Sequence, residues 1–299
     1  MDTPQNNAAQ ISAYPSSDEI TLDHRPLLHP LFKAHPHGIS EFTFANIRLF
    51  RKAHNYRVSR LEDGTIFIIG SDANVRFFML PFGIPAKASL EKLFADFAYM
   101  KAASETDAHQ MTALGYAATE DTDNFDYLYL RKEQADLSGR RFHKKKNLVN
   151  LFLSTYKCEA LPLIDTNVRD AFEILDGWLA RHDGRGDYDA AKEALVAMET
   201  LALCGGIFHV NGKGAAFILG EELTADTFVI HFEKSTGEYP GLLQHLNRSF
   251  AQILPPKYVY INREQDLGDE GLRRSKQSYR PVGYVKKYKI SPIKPYSAA

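Results

Sequence analysis

Cysteine is nearly absent: Cys158 and Cys204 are the only two in 299 residues. Two distant thiols exclude a disulfide framework and lack the paired spacing of a structural zinc site, so both are expected as buried thiols. No run of ~18 apolar residues is present to span a bilayer. The start, Met1 to Glu19, carries Asp2, Asp18 and Glu19 and no apolar run of the signal-peptide kind. A cytoplasmic protein is expected, peripheral at most at a membrane. Net charge is small, −1, which excludes binding of nucleic acid or anionic lipid by bulk charge. Acid is missing altogether from Gly271 to Ala299, where Arg273, Arg274, Lys276, Arg280, Lys286, Lys287, Lys289 and Lys294 stand. The remainder is then about nine charges negative, and the basic end is a local feature.

What is present suits a soluble globular protein of two cores: 44% apolar and 24% charged residues, in a chain longer than the roughly 250 residues at which one core stops growing. Residues 1–39, rich in Pro, His, Asn and Ser, show no helical or strand period and read as an extended arm. His35 and His37 have no accompanying Asp, Glu or Cys at ligand spacing, so no metal site is expected. From Tyr56 the segments YRVSRL, TIFIIG and VRFFMLPFG read as a meander of strands, with turns at Asp63-Gly64 and Ser71-Asp72. The segment from Ala88 to Ala103 reads as one helix with Leu90, Leu93, Phe94, Phe97 and Ala98 on its apolar stripe, and Phe125 to Leu130 as a strand.

Residues 138–156 read as a helix, with Phe142, Val149, Phe152 and Leu153 on or near one face and a basic knot, Arg140, Arg141, Lys144, Lys145 and Lys146, mostly on the other. Such a knot is a solvated face or an anion-facing surface. His143 is expected at the edge of the core. Two helices follow, one carrying Ala171, Ile174, Leu175, Trp178 and Leu179 inward, the other Leu195, Met198, Leu201 and Ala202; Trp178 is expected as a core anchor. Asn211-Gly212 marks a hairpin tip, and Thr227 to Ser235 a third strand. The loop Thr236 to Gly241 opens a helix that Pro255-Pro256 ends. YVYIN is a strand, a helix begins near Gly268, and VGYVKKYKI is a last strand.

The order helix, helix, strand, strand, strand, loop-helix, strand, helix, strand is the core order of an N-acetyltransferase-type fold. The expected class is therefore α/β with a mixed sheet, as two tandem N-acetyltransferase-like domains at 40–157 and 158–299. The runs GRRFHKKKNLVNLF (Gly139 to Phe152), NREQDLGDEGLRRSKQSYRP (Asn262 to Pro281) and SEFTFANIRLFRK (Ser40 to Lys52) resemble the phosphatidylglycerol lysyltransferase C-terminal-like family, over about residue 40 to the end. The resemblance implies tandem acyltransferase-like domains related to Fem-type peptidoglycan aminoacyltransferases. It also implies transfer of an amino acid from aminoacyl-tRNA, which in membrane-bound members goes to a lipid head group. This chain shows no transmembrane segment, which leaves the acceptor open between a small molecule and a peripheral lipid.

In that fold the middle strands splay apart, and the residues at the mouth are the candidates for chemistry. Glu233, on the strand before the loop-helix, and Asn262, Glu264 and Asp266, at the end of the next strand, project there, with Glu264 or Asp266 favoured as base. Asp266 or Asp269 could instead cap the following helix and Asn262 hold a turn. Arg273 and Lys276, three apart on that helix, can face one anion or carbonyl oxygen, and Tyr279 is a candidate proton donor. Arg141, His143, Lys144, Lys145, Lys146, Asn147 and Asn247 are the candidate substrate or anion contacts.

The loop Thr236-Gly-Glu-Tyr-Pro-Gly241 lacks the Gln/Arg-x-x-Gly-x-Gly/Ala pattern of coenzyme A-dependent enzymes and puts an acid where pyrophosphate would lie. This argues against coenzyme A as donor; the two basic segments instead suit a polyanion such as the acceptor stem of an aminoacyl-tRNA, with no bound cofactor. The competing readings are an acyl-coenzyme A N-acyltransferase and a non-catalytic module for RNA or another anion.

Overall fold

A computed structural model describes residues 10–293; Lys294 and the first nine residues of the expected arm lie outside them. The chain divides into two compact units, Met1–Phe125 with Val285–Ala299, and Asp126–Tyr284. The boundary expected between residues 157 and 158 thus falls inside the second unit.

The first unit contains β1 (Asp18–Glu19), α1 (Arg25–Ala34), α2 (Phe44–Phe50), β2 (Arg57–Arg60), β3 (Ile66–Asp72), β4 (Val75–Met79), α3 (Lys87–Asp96), β5 (Tyr99–Ala103), α4 (Glu105–Ala113) and β6 (Tyr116–Glu120). Two expectations are corrected here. Residues 10–39 are folded, since β1 pairs with β2 and Ile11, Ile20, Leu28, Phe32 and Ile39 are buried. The helix α1 gives little sequence signal because three prolines and four histidines in and around it hide a sparse apolar stripe. Pro26 stands in its first turn, where a missing N–H costs nothing. The helix expected through Ala103 ends at Asp96, because Phe97 adopts an extended backbone, and Tyr99–Ala103 becomes a strand parallel to β4.

The second unit contains β7 (Asp126–Leu130), α5 (Arg131–Asp136), α6 (His143–Thr155), β8 (Cys158–Pro162), α7 (Val168–Leu179), α8 (Tyr188–Val196), β9 (Cys204–Val210), β10 (Lys213–Thr224), β11 (Thr227–Ser235), α9 (Leu242–Ile253), β12 (Tyr260–Asn262), α10 (Glu270–Ser278) and β13 (Gly283–Val285). The last strand, β14 (Tyr288–Pro292), joins the first unit's sheet. The single final strand expected is therefore two, in different sheets. The seven-stranded orders are β1-β2-β3-β4-β5-β14-β6 and β13-β7-β12-β11-β10-β9-β8. Each contains a parallel pair with a helix between its strands: β4 and β5 around α3, β11 and β12 around α9. This is the expected mixed-sheet α/β architecture, built twice.

In the second unit α7 packs on one side of the sheet through Ala171, Ile174 and Leu175. On the other side α9 sends Leu246 and Phe250 among Phe208, Phe228 and Ile230. Leu153 and Ala202, expected inward, are exposed, and Cys158 and Cys204 are half-buried and exposed respectively. Asn211-Gly212 makes the hairpin tip with both residues at positive φ, 52 and 81. In the first unit the turn between β3 and β4 lies at Ala73-Asn74, again both at positive φ, two residues beyond the Ser71-Asp72 signal.

A bulge in β11 sets which side chains reach each face of the second sheet. Leu219 pairs with Phe232 and the next residue, Gly220, pairs with Ile230, so His231 has no partner across the ladder. A bulge re-aims every side chain beyond it. Phe228 and Ile230 lie on the α9 side, where unbroken alternation would place Phe232; the extra residue places Glu233 there instead, against Asn247 of α9. Gly220 is required at this point, because a Cβ on it would lie 2.0 Å from the Val229 carbonyl oxygen. Gly220→Ala is expected to cost about 2 kcal/mol or more, read as a lowered urea midpoint at constant slope; an unmoved midpoint would contradict the bulge geometry.

Candidate active site

β11 and β12 pair over only three positions, Thr227 with Tyr260, Phe228 with Ile261 and Val229 with Asn262. β12 then ends while β11 continues to Ser235. The sheet opens at that mouth. The turn leaving β12 is held by side chains: Asn262, fully buried, accepts from the Glu264 N–H at 2.8 Å and donates to Asp126 at 3.1 Å. Glu264 sits at φ 53, a left-handed conformation that is uncommon for a non-glycine residue. Lys276 closes the turn from α10, its ammonium donating to the carbonyls of Arg263 (2.6 Å), Glu264 (3.1 Å) and Gln265. Burial brings its pKa down to about 8, with Arg263 beside it working in the same direction.

With that turn fixed, Arg263 reaches across the mouth. Its Nη2 donates to Glu233 Oε2 at 2.6 Å, while Asn247 Nδ2 donates to Glu233 Oε1 at 2.8 Å. Arg263 Nη1 is buried with no protein partner. The guanidinium lies 4.8 Å from the Tyr279 ring centroid, and the Lys145 ammonium 3.8 Å from the same centroid. Lys145 also donates to Ser278 Oγ at 2.7 Å. Burial, reinforced by Arg263, lowers the Lys145 pKa to about 8, and burial raises that of Tyr279 to about 12, so its hydroxyl keeps its proton at neutral pH.

The other expected residues fall into separate arrangements. Asp266 accepts from Arg273 Nε at 2.9 Å and Nη2 at 2.8 Å, the Tyr127 hydroxyl at 2.6 Å and the Gly268 N–H at 2.9 Å. Burial alone would raise its pKa, but these donors outweigh it and hold the group at about 2. Arg273 and Lys276 therefore face different groups. Asp269 is the cap of α10, accepting from the Leu272 N–H. Glu264 faces His231. Arg141 pairs with Glu133, and His143, Lys144, Lys146 and Asn147 are exposed, His143 contrary to the core-edge expectation. Among the described residues no group of three or more His, Cys, Asp or Glu side chains is arranged to hold a metal ion. His35 and His37 each bond a backbone carbonyl.

Three features of the site carry little sequence signal. Arg263 lies within the polar run after YVYI, where its acidic and amide neighbours are the more obvious candidates. His231 is a lone histidine in an apolar strand; its two ring nitrogens meet Glu264 at 2.7 Å and Glu221 at 3.1 Å. A carboxylate only accepts, so both nitrogens carry protons and the ring is an imidazolium. Burial opposes that charge, but the two carboxylates prevail and lift the pKa to about 10. The third feature is a cavity of about 270 Å³ beside Glu233, lined by Trp178, Arg181, His182, Ser235, Thr236, Gly237 and Leu243 as well. Trp178 is thus at a cavity wall and not only in the core.

Residues 32–291 match the family model described as phosphatidylglycerol lysyltransferase, C-terminal. The chain belongs to that family. A conserved protein of unknown function from Bacteroides thetaiotaomicron is similar at 30% identity and TM-score 0.83, over 93% of this chain and 99% of that one. The C-terminal domain of a putative lysylphosphatidylglycerol synthetase from Agrobacterium fabrum is similar in fold, with 14% identity, TM-score 0.61, and 89% and 93% of the two chains covered. So is FemX, with 10% identity, TM-score 0.59, and 93% and 97% covered. An uncharacterised protein of Mycoplasmoides gallisepticum is 24% identical over 178 residues, which is 56% of this chain and 56% of that relative. No helix among the described residues is long and apolar enough to cross a membrane.

The raised pKa of His231 has a consequence for stability. Its contribution is complete below the ordinary value of 6.5 and declines as pH rises through about 10. His231→Gln is expected to cost about 3 kcal/mol near neutral pH, since it leaves Glu221 buried and uncompensated. It should also remove the fall in unfolding free energy that the unaltered protein shows between those two pH values. Parallel curves for the two proteins would contradict the imidazolium assignment.

Proposed function

We propose that this protein transfers an aminoacyl group from charged tRNA to an amine or hydroxyl acceptor, with the reaction centred on Glu233 and Arg263. The observation that carries the reading is the buried, unpartnered Nη1 of Arg263 next to a carboxylate at the splayed strands. Acyl transfer needs a group to take the acceptor's proton and a donor for the oxyanion. Glu233 supplies the first and Arg263 the second. The acceptor nitrogen or oxygen attacks the ester carbonyl, its proton passes to Glu233, and the ribose oxygen leaves as that proton equivalent returns to it. Tyr279 is the hydroxyl donor beside that oxygen.

Glu233 is preferred over Asp266 because Asp266 takes four donors, from Arg273, Tyr127 and the Gly268 N–H, and is held at about 2, which makes it a weak base, whereas Glu233 takes two and keeps acceptor sites open at the mouth. Asn262, Lys276 and Glu264 are read as positioning residues that aim Arg263, while Asp266 and Arg273 anchor α10. The polyanionic donor is supported by the basic run of α6, whose Lys145 is tied to Ser278 of α10; exposed Lys144 and Lys146 on α6, Arg274 on α10 and Arg280 just after it are cations that can meet phosphates. The start of α9 does not favour coenzyme A: a Cβ on its capping residue Gly241 would lie 2.5 Å from the Leu148 carbonyl of α6, so α6 crowds the helix end where pyrophosphate would dock.

With charged tRNA as donor and hydroxylamine as a generic acceptor, the protein should form the aminoacyl hydroxamate and free the tRNA above the uncatalysed background. Glu233→Gln should lower turnover about 100-fold or more, and Arg263→Gln should do likewise. Transfer supported by acetyl-coenzyme A and not by charged tRNA would overturn the reading.

A further inference from the structure

The cavity beside Glu233 carries information about the acceptor, on the footing that this is the acyl-transfer site. We infer that it binds a small zwitterion, an α-amino acid or short peptide, whose amine meets Glu233 and whose carboxylate meets Arg181 and His182.

Size comes first. At about 270 Å³ the cavity lies just under the range of pockets that hold drug-sized molecules, which suits a group of amino-acid dimensions. Charge comes second. Of the lining residues, Glu233 is the one carboxylate and Arg181 and His182 are the cationic or protonatable groups. They come from different places, the strand β11 and the turn that follows α7, so the two signs face one space. Glu233 spends one acceptor site per oxygen, on Asn247 and Arg263, and each carboxylate oxygen has two. A free site is left for an ammonium N–H. Arg181 is paired with Glu238 at 3.7 Å, both side chains being well exposed, and such a pair is weak enough to exchange for a ligand carboxylate. The Ser235 and Thr236 hydroxyls add adaptable partners, and Thr236 Oγ1 is buried with none.

Trp178 narrows the class further. The Lys234 ammonium lies 3.9 Å from its ring centroid, and His182 stacks on the ring at 4.2 Å. Groups that close cannot share a face, so both faces are covered and the ring offers its edge. An aromatic or quaternary ammonium acceptor, which would need an open face, is thereby disfavoured. In the reaction the acceptor's ammonium first gives up one proton to solvent; the amine nitrogen then attacks the ester carbonyl, its second proton passes by way of Glu233 to the ribose oxygen, and the ester C–O bond breaks as the amide forms.

Calorimetry on the full chain tests this with alanine, alanyl-alanine, ethylamine, propionate and sn-glycerol 3-phosphate. Alanine or alanyl-alanine should bind saturably, while ethylamine and propionate, each carrying half of the charge pattern, should bind at least about tenfold more weakly. Arg181→Gln, at an exposed position that leaves the fold intact, should weaken the zwitterion by a similar factor. Glycerol 3-phosphate binding as tightly as the zwitterions would overturn the inference, as would unchanged affinity in Arg181→Gln. The hydroxylamine reaction separates the two failures. Turnover of charged tRNA without zwitterion binding sinks this inference and spares aminoacyl transfer; zwitterion binding without consumption of charged tRNA does the reverse.

Discussion

The parting of β11 from β12 after three paired residues is the constraint from which the site follows. Two parallel strands that separate leave a gap in the sheet, and the gap must be lined by groups whose polar atoms are satisfied. The bulge at His231 decides what lines one side, because it moves Glu233 onto the α9 side. The turn from Asn262 decides the other, because it delivers Arg263. Neither device works alone. Without the bulge Arg263 would face no carboxylate, and without the turn Glu233 would be left with Asn247.

These devices bury charge, and buried charge is costly unless it is paired and hydrogen-bonded. The second unit meets the cost with complete sets of partners at three points: His231 between two carboxylates, Asp266 among four donors, and Lys276 over three carbonyls. The strained backbone at Glu264 persists because Asn262 and Lys276 hold it from two directions. Arg263 Nη1 and Thr236 Oγ1 are buried without a partner, as are Glu133 Oε2 and His209 Nδ1 in the same unit; the first two belong to residues at the mouth and at the cavity wall, where an incoming substrate has most to gain.

Much of the second unit is readable in the sequence because its local signals agree with its tertiary ones. The Asn211-Gly212 tip, the strand Thr227–Ser235 and the helix ending before Pro255-Pro256 stand where turn chemistry and periodicity place them. The mouth is readable through the polar run after YVYI. The first unit is less so: residues 25–34 form a helix whose stripe is only Leu28 and Phe32, and Tyr99–Ala103 cannot be told from a helix by pattern, since its partner β4 comes from elsewhere. The return of β14 to the first sheet after β7 to β13 have built the second is a non-local fact with no signal in a single sequence. His231 and Arg263 are hidden for a related reason. A bulge and a left-handed turn depend on cross-strand register, which spacing along the chain does not encode.

The most direct test of the account is a crystal structure of the protein with a non-hydrolysable 3′-aminoacylamino-adenosine. The account places the acyl carbonyl oxygen at about 2.7–3.1 Å from Arg263 Nη1, with the carbonyl carbon open to the cavity beside Glu233. A ligand bound elsewhere, or an Arg263 Nη1 already satisfied by a buried water with the acyl group out of reach, would contradict it.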